Sequence, residues 1–433
     1  MGRRYIALTS SYRTSPLVML PTDPVAGADL PRAALRVLLV APQPFFAQRG
    51  TPINVRQMAQ TLCEAGHEVH LATYPMGAPV AITGLHVHRA LAVPGVRDVP
   101  IGFSWRKLLL DGTLALRVWA LVMGRRFDVV HAVEESVFFA MPAARLRGIP
   151  VIYDMDSSLS GQLEYGGHVR NGTLLRALRR MERAALRRAR LAITVCTALT
   201  DAVRSLSPDT PVAQIEDCPL DEALRAPDEA RVRALRATHG LPERGVVMYT
   251  GNLEGYQGID LLLDAFVHVA RARRDAVLVL VGGTPSQIER VRARARERSL
   301  HDRVVLPGAR PAEEMPEWMA AGDVLVSPRL HGTNTPLKLY SYMWSGVPIV
   351  ATELPTHTQV LDAHTALLRA PTPESFASGI IEALASPERF APLGAAAHAR
   401  VATHYSRDAF RDRLLAAYAS VVPAMRSSVA TSM

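Results

Sequence analysis

The stretch that decides the fold of this chain runs from Val324 to Glu353 and reads VLVSPRLHGTNTPLKLYSYMWSGVPIVATE. It opens with an apolar strand, and a polar turn containing Gly332 follows. We expect a helix to begin near Pro336 and to stop at Gly346, because proline favours the first helical turn and glycine the position after the last. A second apolar strand, Ile349 to Thr352, comes next. Such an arrangement directs unpaired backbone N–H groups at one point, so the stretch predicts an anion-binding site.

The size and composition of the chain indicate a globular protein of two or three domains. It has 433 residues, of which 48% are hydrophobic and 21% charged, enough for a large buried core. The formal net charge of +9 favours anionic partners such as phosphates or acidic lipid headgroups. The three cysteines share no metal-ligand or redox spacing, so we expect reduced, inert thiols. We see no bilayer-spanning apolar run and no signal-peptide pattern, and therefore expect a cytoplasmic location.

Apolar runs that alternate with helical patterns predict two α/β halves. Residues 1–34 lack periodicity and are expected to form a flexible tail, as are residues 426–433. The first predicted half covers residues 35–216 and the second covers residues 217–403, while the amphipathic segment 404–425 follows them. The strands predicted in order are 35–40, 68–73, 128–132, 150–154, 191–195, 212–215, 246–251, 276–283, 303–306, 323–326 and 348–352.

Several short motifs occur in a characteristic order between Val37 and about Arg400. They are RGTP at 49–52, DVVHA at 128–132, GNL followed by QGIDLL at 251–262, LVGG at 280–283 and AGDVLVSP at 321–328. Their order and spacing resemble those of GT-B glycosyltransferases of the group 1, or family 4, type. The resemblance implies an α/β fold of two facing Rossmann-like domains, with a C-terminal helix crossing back to the first.

The same resemblance implies a function. A nucleotide-sugar donor would bind the second domain and an acceptor would meet the first, with retention of anomeric configuration. No permanently bound cofactor and no metal ion are expected. A departing diphosphate needs charge stabilisation more than a strong base, and basic side chains with helix-terminal N–H groups can supply it.

The chain departs from the family pattern at several polar positions. Where the family carries an Arg and a Lys for the donor diphosphate, this chain has Asn252 and Gln257. The paired glutamates of the family, eight positions apart, fall on Thr333 and Ser341. The usual active-site His after the strand at 150–154 falls on Asp156. These changes indicate a divergent branch and leave the donor open.

Four cations remain near the expected donor site: Arg329, Lys338, Arg310 and Arg49. The ammonium group of Lys338, in the first helical turn, could reach a phosphate; a solvated surface lysine is the alternative. Arg329 follows a buried strand at the edge where open α/β sheets place ligands, and a structural ion pair is its alternative.

Further donor contacts are predicted from smaller residues. Thr333 and Asn334 offer hydrogen-bond donors to the sugar. Ser341 could bind a ribose hydroxyl or simply pack at the helix start. Gly50, with Thr51 beside it, permits close approach of a donor phosphate, unless it is an ordinary turn glycine.

Carboxyl groups follow two strands of the first half and are the catalytic candidates. Asp154 and Asp156 could contact the acceptor, cap a helix or form a metal-binding pair. No third ligand lies at a readable spacing, so no metal site is predicted. Glu134, like Glu135 beside it, could orient the acceptor hydroxyl or cap a helix. His131 is expected to pack at its strand end.

Residues 170–190 contain eight arginines interleaved with apolar side chains at helical spacing. This basic amphipathic pattern predicts contact with an anionic membrane surface, on the inner face of the cytoplasmic membrane. A solvated basic face over an ordinary core stripe is the alternative. Residues 105–110, WRKLLL, are a second candidate for membrane contact. Nucleic acid is not an expected partner, because no clustered aromatic residues or known reading motif occur.

Three functional hypotheses follow. The first is a glycosyltransferase acting on a glycan or lipid-linked acceptor in envelope polysaccharide or glycolipid synthesis. The second is a catalytically weak scaffold or binding subunit of a polysaccharide assembly system, which the altered Arg, Lys and Glu positions motivate. The third is an epimerase that acts on a nucleotide sugar.

Overall fold

The computed structural model of the chain describes residues 34–47, 50–96, 99, 104–158 and 172–422. These residues form two parallel β-sheets, each covered by helices on both faces. Parallel sheets of this kind are buried on both sides, which explains the continuous apolar runs of their strands. The predicted α/β class with two Rossmann-like halves is therefore confirmed.

The first sheet has seven parallel strands, and the first strand in the chain lies in its interior. Val37 of that strand pairs with Val69 on one side and with Val129 on the other. The strands are β1 (Arg36–Ala41), β2 (Glu68–Thr73), β3 (Leu85–Arg89), β4 (Val129–Val133), β5 (Val151–Met155), β6 (Leu191–Thr194) and β7 (Val212–Gln214). Their order across the sheet is β3-β2-β1-β4-β5-β6-β7.

The second sheet has six parallel strands and repeats the same plan. They are β8 (Val246–Thr250), β9 (Val277–Val281), β10 (Val304–Gly308), β11 (Val324–Ser327), β12 (Ile349–Thr352) and β13 (Leu367–Arg369). Their order is β10-β9-β8-β11-β12-β13. The strands after β8 are thus added first on one side of it and then, from β11 onward, on the other side, so the strand order reverses between β8 and β11. Open α/β sheets bind ligands at the carboxyl ends of strands beside such a reversal.

Helices cover the first sheet in two layers. One layer contains α2 (Trp105–Gly124), α3 (Val137–Leu146) and α4 (Gly172–Leu186), and the opposite layer contains α1 (Gly50–Glu64). A further helix, α5 (Thr197–Leu206), follows β6.

The second sheet and its connections carry the remaining helices. They are α6 (Glu229–Thr238), α7 (Ile259–Ala272), α8 (Pro285–Glu297), α9 (Met315–Ala320), α10 (Lys338–Ser345), α11 (Pro355–Thr358), α12 (Pro373–Ala385), α13 (Pro387–His404) and α14 (Arg407–Val421). Among the described residues, none of these helices or of those in the first half combines the length and the apolar composition needed to cross a bilayer.

The last helix, α14, returns to the first sheet as the resemblance implied. Phe410, Leu414 and Tyr418 are buried in the same core as β1 and α1. Ion pairs support the contact, with Arg413 lying 2.6 Å from Glu216 and Arg407 lying 2.8 Å from Glu64.

The structure differs from the sequence predictions in three elements. The edge strand β3 was not predicted, because LHVHR alternates polar and apolar residues and is largely accessible. The strand β13 has only three residues, too few for a visible apolar run. Helix α10 begins at Lys338 rather than near Pro336, because the carbonyl of Pro336 accepts the N–H of Leu339 in a preceding turn.

Candidate functional site

Arg329 occupies the turn after β11 and is almost fully buried, with 8% of its surface exposed. Its Nε donates to the carbonyl of His331 at 2.8 Å, and its Nη2 donates to Oδ1 of Asn334 at 3.1 Å. The guanidinium carbon lies 5.4 Å from the ring centroid of Tyr256, and burial lowers the pKa of Arg329. In the described part of the chain no carboxylate pairs with it, so the ion-pair interpretation is wrong.

Lys338 is the first residue of α10. Its ammonium group lies against one side chain from β8 and one from the segment between β8 and α7. Nζ donates to Oε1 of Gln257 at 3.3 Å and lies 3.7 Å from the ring centroid of Tyr249. Burial and, after it, the charge of Arg329 hold the pKa of Lys338 well below its usual range. The interpretation as a solvated surface lysine is therefore wrong. Two cations lie close together here, and an anion would offset their desolvation.

Two glycines allow this turn to close around the arginine. Gly258 has φ of +75°, and a Cβ there would collide with the carbonyl oxygen of Pro328. Gly332 has φ of +122°, and a Cβ there would collide with the guanidinium of Arg329. Both positions need the left-handed backbone that only glycine adopts without strain.

His357 stabilises this turn through buried hydrogen bonds, and it was not predicted from the sequence. It is fully buried; its Nδ1 donates to the carbonyl of Thr352 at 2.8 Å, and its Nε2 accepts from the hydroxyl of Ser327 at 2.8 Å. Burial lowers the pKa of His357 to about 3, so the ring is neutral and ties β11 to β12. Its signal in the sequence is a histidine at the start of the helix that follows a buried strand.

The other predicted donor contacts lie around this turn. The side chain of Asn252 donates to the hydroxyl of Tyr256 at 3.2 Å, and Asn334 is held by Arg329. Ser341 is buried on α10, and the carbonyl of Thr333 accepts from Gln359 at 3.0 Å. Binding roles for these residues remain predictions.

The other two predicted cations, Arg310 and Arg49, are not among the residues seen to contact this turn. The guanidinium of Arg310 lies 5.9 Å from the ring centroid of Trp318, on α9. Arg49 lies outside the described residues. The structure therefore assembles Arg329 and Lys338, with Gln257 and Asn334 as their polar partners.

The carboxyl candidates of the first half cluster at the carboxyl ends of β4 and β5. His131 is fully buried; its Nε2 lies 3.1 Å from Oδ2 of Asp154, and its Nδ1 lies 2.7 Å from the hydroxyl of Tyr418 on α14. This agrees with the expectation that His131 packs at its strand end. Oδ1 of Asp154 is buried without a hydrogen-bond partner among the described residues.

Asp156 is buried in the same cluster, next to the start of α1. Its Oδ1 accepts from Nδ2 of Asn54 at 3.3 Å, and the hydroxyl of Thr51 also hydrogen-bonds the carboxyl group. Burial first, and then the charges of Asp154 and Glu134, raise the pKa of Asp156 well above its usual range. The protonated form of Asp156, which can donate a hydrogen bond, is therefore favoured relative to an ordinary aspartate.

Glu134 completes the cluster and adopts an unusual backbone with φ of +51°. Its carboxylate accepts from the hydroxyl of Ser157 at 2.8 Å, while neighbouring Glu135 pairs with Lys107 at 2.5 Å. Burial, and then the charge of Glu135, raise the pKa of Glu134 to about 6. Glu134 thus combines a left-handed backbone, which is rare for a residue other than glycine, with a raised carboxyl pKa. Both features are typical of functional sites.

Gly50 and Thr51 stand at the amino end of α1. Gly50 is exposed, and nothing lies within 4 Å of the position a Cβ would take. Among the described residues no atom therefore demands glycine there, and close approach of a ligand remains a prediction. Thr51 contacts Asp156, which places it with the carboxyl cluster.

Asp217 was missed in the sequence and connects the two halves of the site. Burial first, and then the charge of Asp154, raise the pKa of Asp217 to about 7. Its charge also raises the pKa of Asp156 and, after burial, that of Tyr340 on α10. No local motif marks Asp217, because it follows a short strand at the junction between the two halves.

The two halves also meet through Gln359. Its Oε1 accepts from the backbone N–H of Ala198 at the start of α5 at 3.0 Å, and its Nε2 donates to the carbonyl of Thr333. The thiol of Cys196 lies 3.6 Å from the same carbonyl. A buried thiol that reaches this turn was not expected from the sequence.

The absence of a metal at the donor site remains a prediction. Asp154 and Asp156 belong to no group of three close His, Cys, Asp or Glu ligand atoms among the described residues. The arrangement instead offers two cations for an anion in the second half and protonatable carboxyl groups in the first. It is suited to holding a diphosphate and a neutral hydroxyl compound.

Two family descriptions match the chain, one in each half. "Glycosyl transferase 4-like domain" matches residues 49–216, and "Glycosyl transferases group 1" matches residues 244–386.

Curated relatives carry transferase names. The GDP-mannose-dependent alpha-(1-6)-phosphatidylinositol monomannoside mannosyltransferase of Mycolicibacterium smegmatis is 31% identical over 49% of this chain and 59% of its own. The alpha-D-kanosaminyltransferase of Streptomyces kanamyceticus is 25% identical over 55% of this chain and 63% of its own. The matches thus span about three fifths of these relatives. The 2-deoxystreptamine N-acetyl-D-glucosaminyltransferase of Streptomyces fradiae is 28% identical over 67% of this chain and 71% of its own.

Solved structures share the fold. Sucrose-phosphate synthase from Thermosynechococcus elongatus has a TM-score of 0.74 at 21% identity, covering 90% of this chain and 100% of its own. HepE of Anabaena, solved in complex with UDP and glucose, has a TM-score of 0.72 at 17% identity, covering 89% and 100%.

Proposed function

Because the chain belongs to the group 1, or family 4, glycosyltransferases with a GT-B fold, we propose that it transfers a sugar from a nucleotide-sugar donor to a glycan or lipid-linked acceptor. The proposed transfer retains the anomeric configuration and needs no metal. The transferase names of the curated relatives favour this over the scaffold and epimerase alternatives.

One observation carries the proposal: Arg329 and Lys338 lie together without a carboxylate partner in the described part of the chain. A buried cation whose charge is not offset is costly, so an anionic ligand gains more here than at a solvated surface. The site follows β11 beside the reversal of strand order, where α/β sheets place nucleotides. The donor diphosphate accounts for both features, and the two cations would stabilise the charge of the departing nucleoside diphosphate.

The carboxyl cluster is proposed to receive the acceptor. Glu134, with a pKa of about 6, is suited to accept a proton from the acceptor hydroxyl near neutral pH. Asp156, whose raised pKa favours its protonated form, would donate a hydrogen bond to a neighbouring oxygen. Asp154 would hold His131 and hence the strand ends in place.

Donor binding can be tested by thermal stabilisation of the full chain against nucleoside diphosphates and nucleotide sugars. A ligand that binds only the folded protein raises its melting temperature. We expect a shift with one nucleotide class, and we expect Lys338→Met to weaken that binding about 30-fold, equivalent to about 2 kcal/mol. The matched control is Arg271→Met, which removes an exposed charge at the end of α7.

Two outcomes would count against the proposal: no shift with any nucleotide in folded protein, or a shift equally strong in Lys338→Met and Arg271→Met. Transfer itself is measured by incubating the stabilising donor with candidate glycan and glycolipid acceptors and following the released nucleoside diphosphate. Epimerised donor, rather than released diphosphate, would identify the epimerase alternative.

We further propose that the first domain docks on an anionic membrane surface, at the inner face of the cytoplasmic membrane. Helices α2, α3 and α4 lie side by side on one face of the first sheet. Helix α2 exposes large apolar side chains, which are Trp105, Leu108, Leu109, Leu116, Trp119 and Met123. A groove of about 530 Å³ beside them is lined by Arg145, Arg180, Arg183, Arg187 and Arg188. Apolar side chains next to clustered arginines fit an interfacial contact with acidic lipids.

The structure corrects two details of this surface. Within residues 105–110, Lys107 turns inward to Glu135 and Leu110 is fully buried, so neither belongs to the exposed face. Arg170 lies outside the described residues, and α4 begins at Gly172. Of the apolar positions of α4, Leu174 and Met181 are about half exposed, whereas Ala185 and Leu186 are buried in the core, so only part of the stripe is available to a membrane.

Vesicle co-sedimentation tests the docking surface. We expect the full chain to bind vesicles rich in phosphatidylglycerol, and to bind phosphatidylcholine vesicles weakly. Each Arg near an anionic surface contributes about 1 kcal/mol, so the double variant Arg180→Gln/Arg187→Gln should bind at least tenfold more weakly. The control is Arg292→Gln/Arg296→Gln on α8 of the second half. If both double variants lose vesicle binding equally, binding depends on net charge alone and the proposed docking surface is wrong.

A further inference from the structure

Three histidines and one glutamate share one face at the edge of the first sheet. Glu68 and His70 alternate along β2, and His86 and His88 alternate along β3. In the parallel register His70 pairs with His86, so all four side chains project from the same face. His70 is 2% exposed, while His86 is exposed to solvent.

Glu68, His70, His86 and His88 form what we call the edge cluster. Three of them bring possible metal-ligand atoms close together. One ligand atom each from Glu68, His70 and His86 lies within 4.8 Å of the other two. Nε2 of His70 is 2.9 Å from Oε1 of Glu68, while the other carboxylate oxygen pairs with Arg36 at 3.2 Å. Nδ1 of His70 is 2.8 Å from Nε2 of His88. Glu68 and His70 are thus held in place by outer partners.

We propose that Glu68, His70 and His86 form a binding site for a divalent transition-metal ion, with Zn²⁺ as the best fit. Two imidazoles and one carboxylate are a common zinc ligand set, with bonds of about 2.0 to 2.2 Å. Nε2 of His70 and Oε1 of Glu68 are already 2.9 Å apart. Only the ligand atom of His86, within 4.8 Å of the other two, must therefore move closer, by up to about 1.5 Å, to reach the spacing of a tetrahedral site. The ring of His86 is exposed to solvent and stacks on His70 with a centroid distance of 4.8 Å. His88 takes the outer role, accepting from Nδ1–H of His70 and fixing its tautomer.

The surroundings select the chemical class of the ion. Arg36 pairs with Glu68, and the charges of Arg125 and Arg117 act on His88. These cations disfavour Ca²⁺ or Mg²⁺, which bind oxygen ligands mainly through charge. Imidazole nitrogen suits zinc and its neighbours in the first transition row.

The position of the edge cluster indicates a structural role. Glu68 is the first residue of β2 and His86 the second of β3, so the cluster lies toward the amino ends of these strands. The candidate functional site follows the carboxyl ends of β4 and β5, which lie at the opposite end of this parallel sheet. The bound ion would fasten the exposed edge strand β3 to β2 and would take no part in transfer. The inference is therefore independent of the proposed function.

Metal binding to the full chain tests the inference. The protein would carry a purification tag without histidine, be stripped with EDTA, and be dialysed against micromolar Zn²⁺ before metal analysis. We expect about one Zn²⁺ per chain at the cluster and a higher melting temperature, because the ion binds only the folded state. His86→Ala should lower the Zn²⁺ affinity at least tenfold, since it removes a ligand from an exposed position. Glu68→Gln, which keeps the side-chain shape, should lower it as well.

The matched control is His301→Ala, because His301 is another exposed histidine with an acidic neighbour, Asp302 at 3.1 Å. This variant should bind Zn²⁺ as the unaltered chain does. The inference is overturned if the chain takes up no stoichiometric Zn²⁺ at micromolar concentration. It is also overturned if His86→Ala binds and is stabilised by Zn²⁺ as strongly as His301→Ala.

Discussion

At the scale of single residues, Lys338 shows how a binding site can reduce the stability of the empty protein. Its ammonium group contacts the ring of Tyr249 and one oxygen of Gln257, with Arg329 close by. Replacing such a charge with a similar apolar volume removes a desolvation cost. We predict that Lys338→Met raises the free energy of unfolding of the ligand-free protein by about 1 to 3 kcal/mol, measured in urea. A less stable variant would mean that the charge is already compensated.

Asp217 gives a prediction on pH at the same scale. Its pKa is raised from 3.8 to about 7 in the folded protein, so between these values the folded state holds a proton that the unfolded state has lost. The contribution of Asp217 to stability is therefore present at low pH and is lost as pH rises through about 7. We expect Asp217→Asn to stabilise the protein more at pH 8 than at pH 5, by melting temperature. The matched control is Asp209→Asn, because Asp209 is exposed to solvent. If the effect of Asp217→Asn on the melting temperature is the same at pH 5 and pH 8, as expected for the control, the prediction is wrong.

At the scale of elements, the turn after β11 depends on the short helical segment Gly255–Gln257 that precedes α7. Gly258 ends that segment with φ of +75° and lies against the carbonyl oxygen of Pro328. We predict that Gly258→Ala costs about 2 kcal/mol or more in stability, since it adds both backbone strain and a collision. It should also weaken nucleotide binding, because a shift of this segment would move Tyr256 away from Arg329 and Gln257 away from Lys338.

Gly255→Ala is the matched control for this element. Nothing lies within 4 Å of the Cβ position at Gly255, and its φ is outside the left-handed region. Its urea midpoint should stay close to that of the unaltered chain. If both alanine variants lose stability equally, the close approach to Pro328 is not the cause.

At the scale of the whole molecule, α14 joins the end of the chain to the first sheet. Leu414 is fully buried in the core shared by β1 and α1. We predict that Leu414→Ala lowers the free energy of unfolding by about 2 to 5 kcal/mol, through lost burial and the cavity left behind. The control is Leu146→Ala, because Leu146 is 70% exposed at the end of α3. Little change in Leu414→Ala would mean that α14 detaches in solution.

Much of the fold was predictable because a parallel sheet buries both faces of its strands. Runs such as Val37 to Val40 and Val277 to Val281 are then apolar throughout and easy to recognise. The edge strand β3 was missed because it is not buried on both faces. One side of it is open to solvent, so its sequence contains no continuous apolar run. Its alternating histidines, together with Glu68 and His70, were a readable signal of a shared face that the search for apolar runs passed over.

The sequence by itself determined the two α/β halves, most of their strands and the presence of Arg329 and Lys338 beside a glycine turn. It did so because periodicity, glycine and proline act over a few residues. Only the tertiary structure decided that Lys338 lies against Tyr249, that Asp217 joins the carboxyl cluster and that His357 supports the turn. These contacts join residues far apart in the chain, and burial and pKa depend on every neighbour that packing brings together.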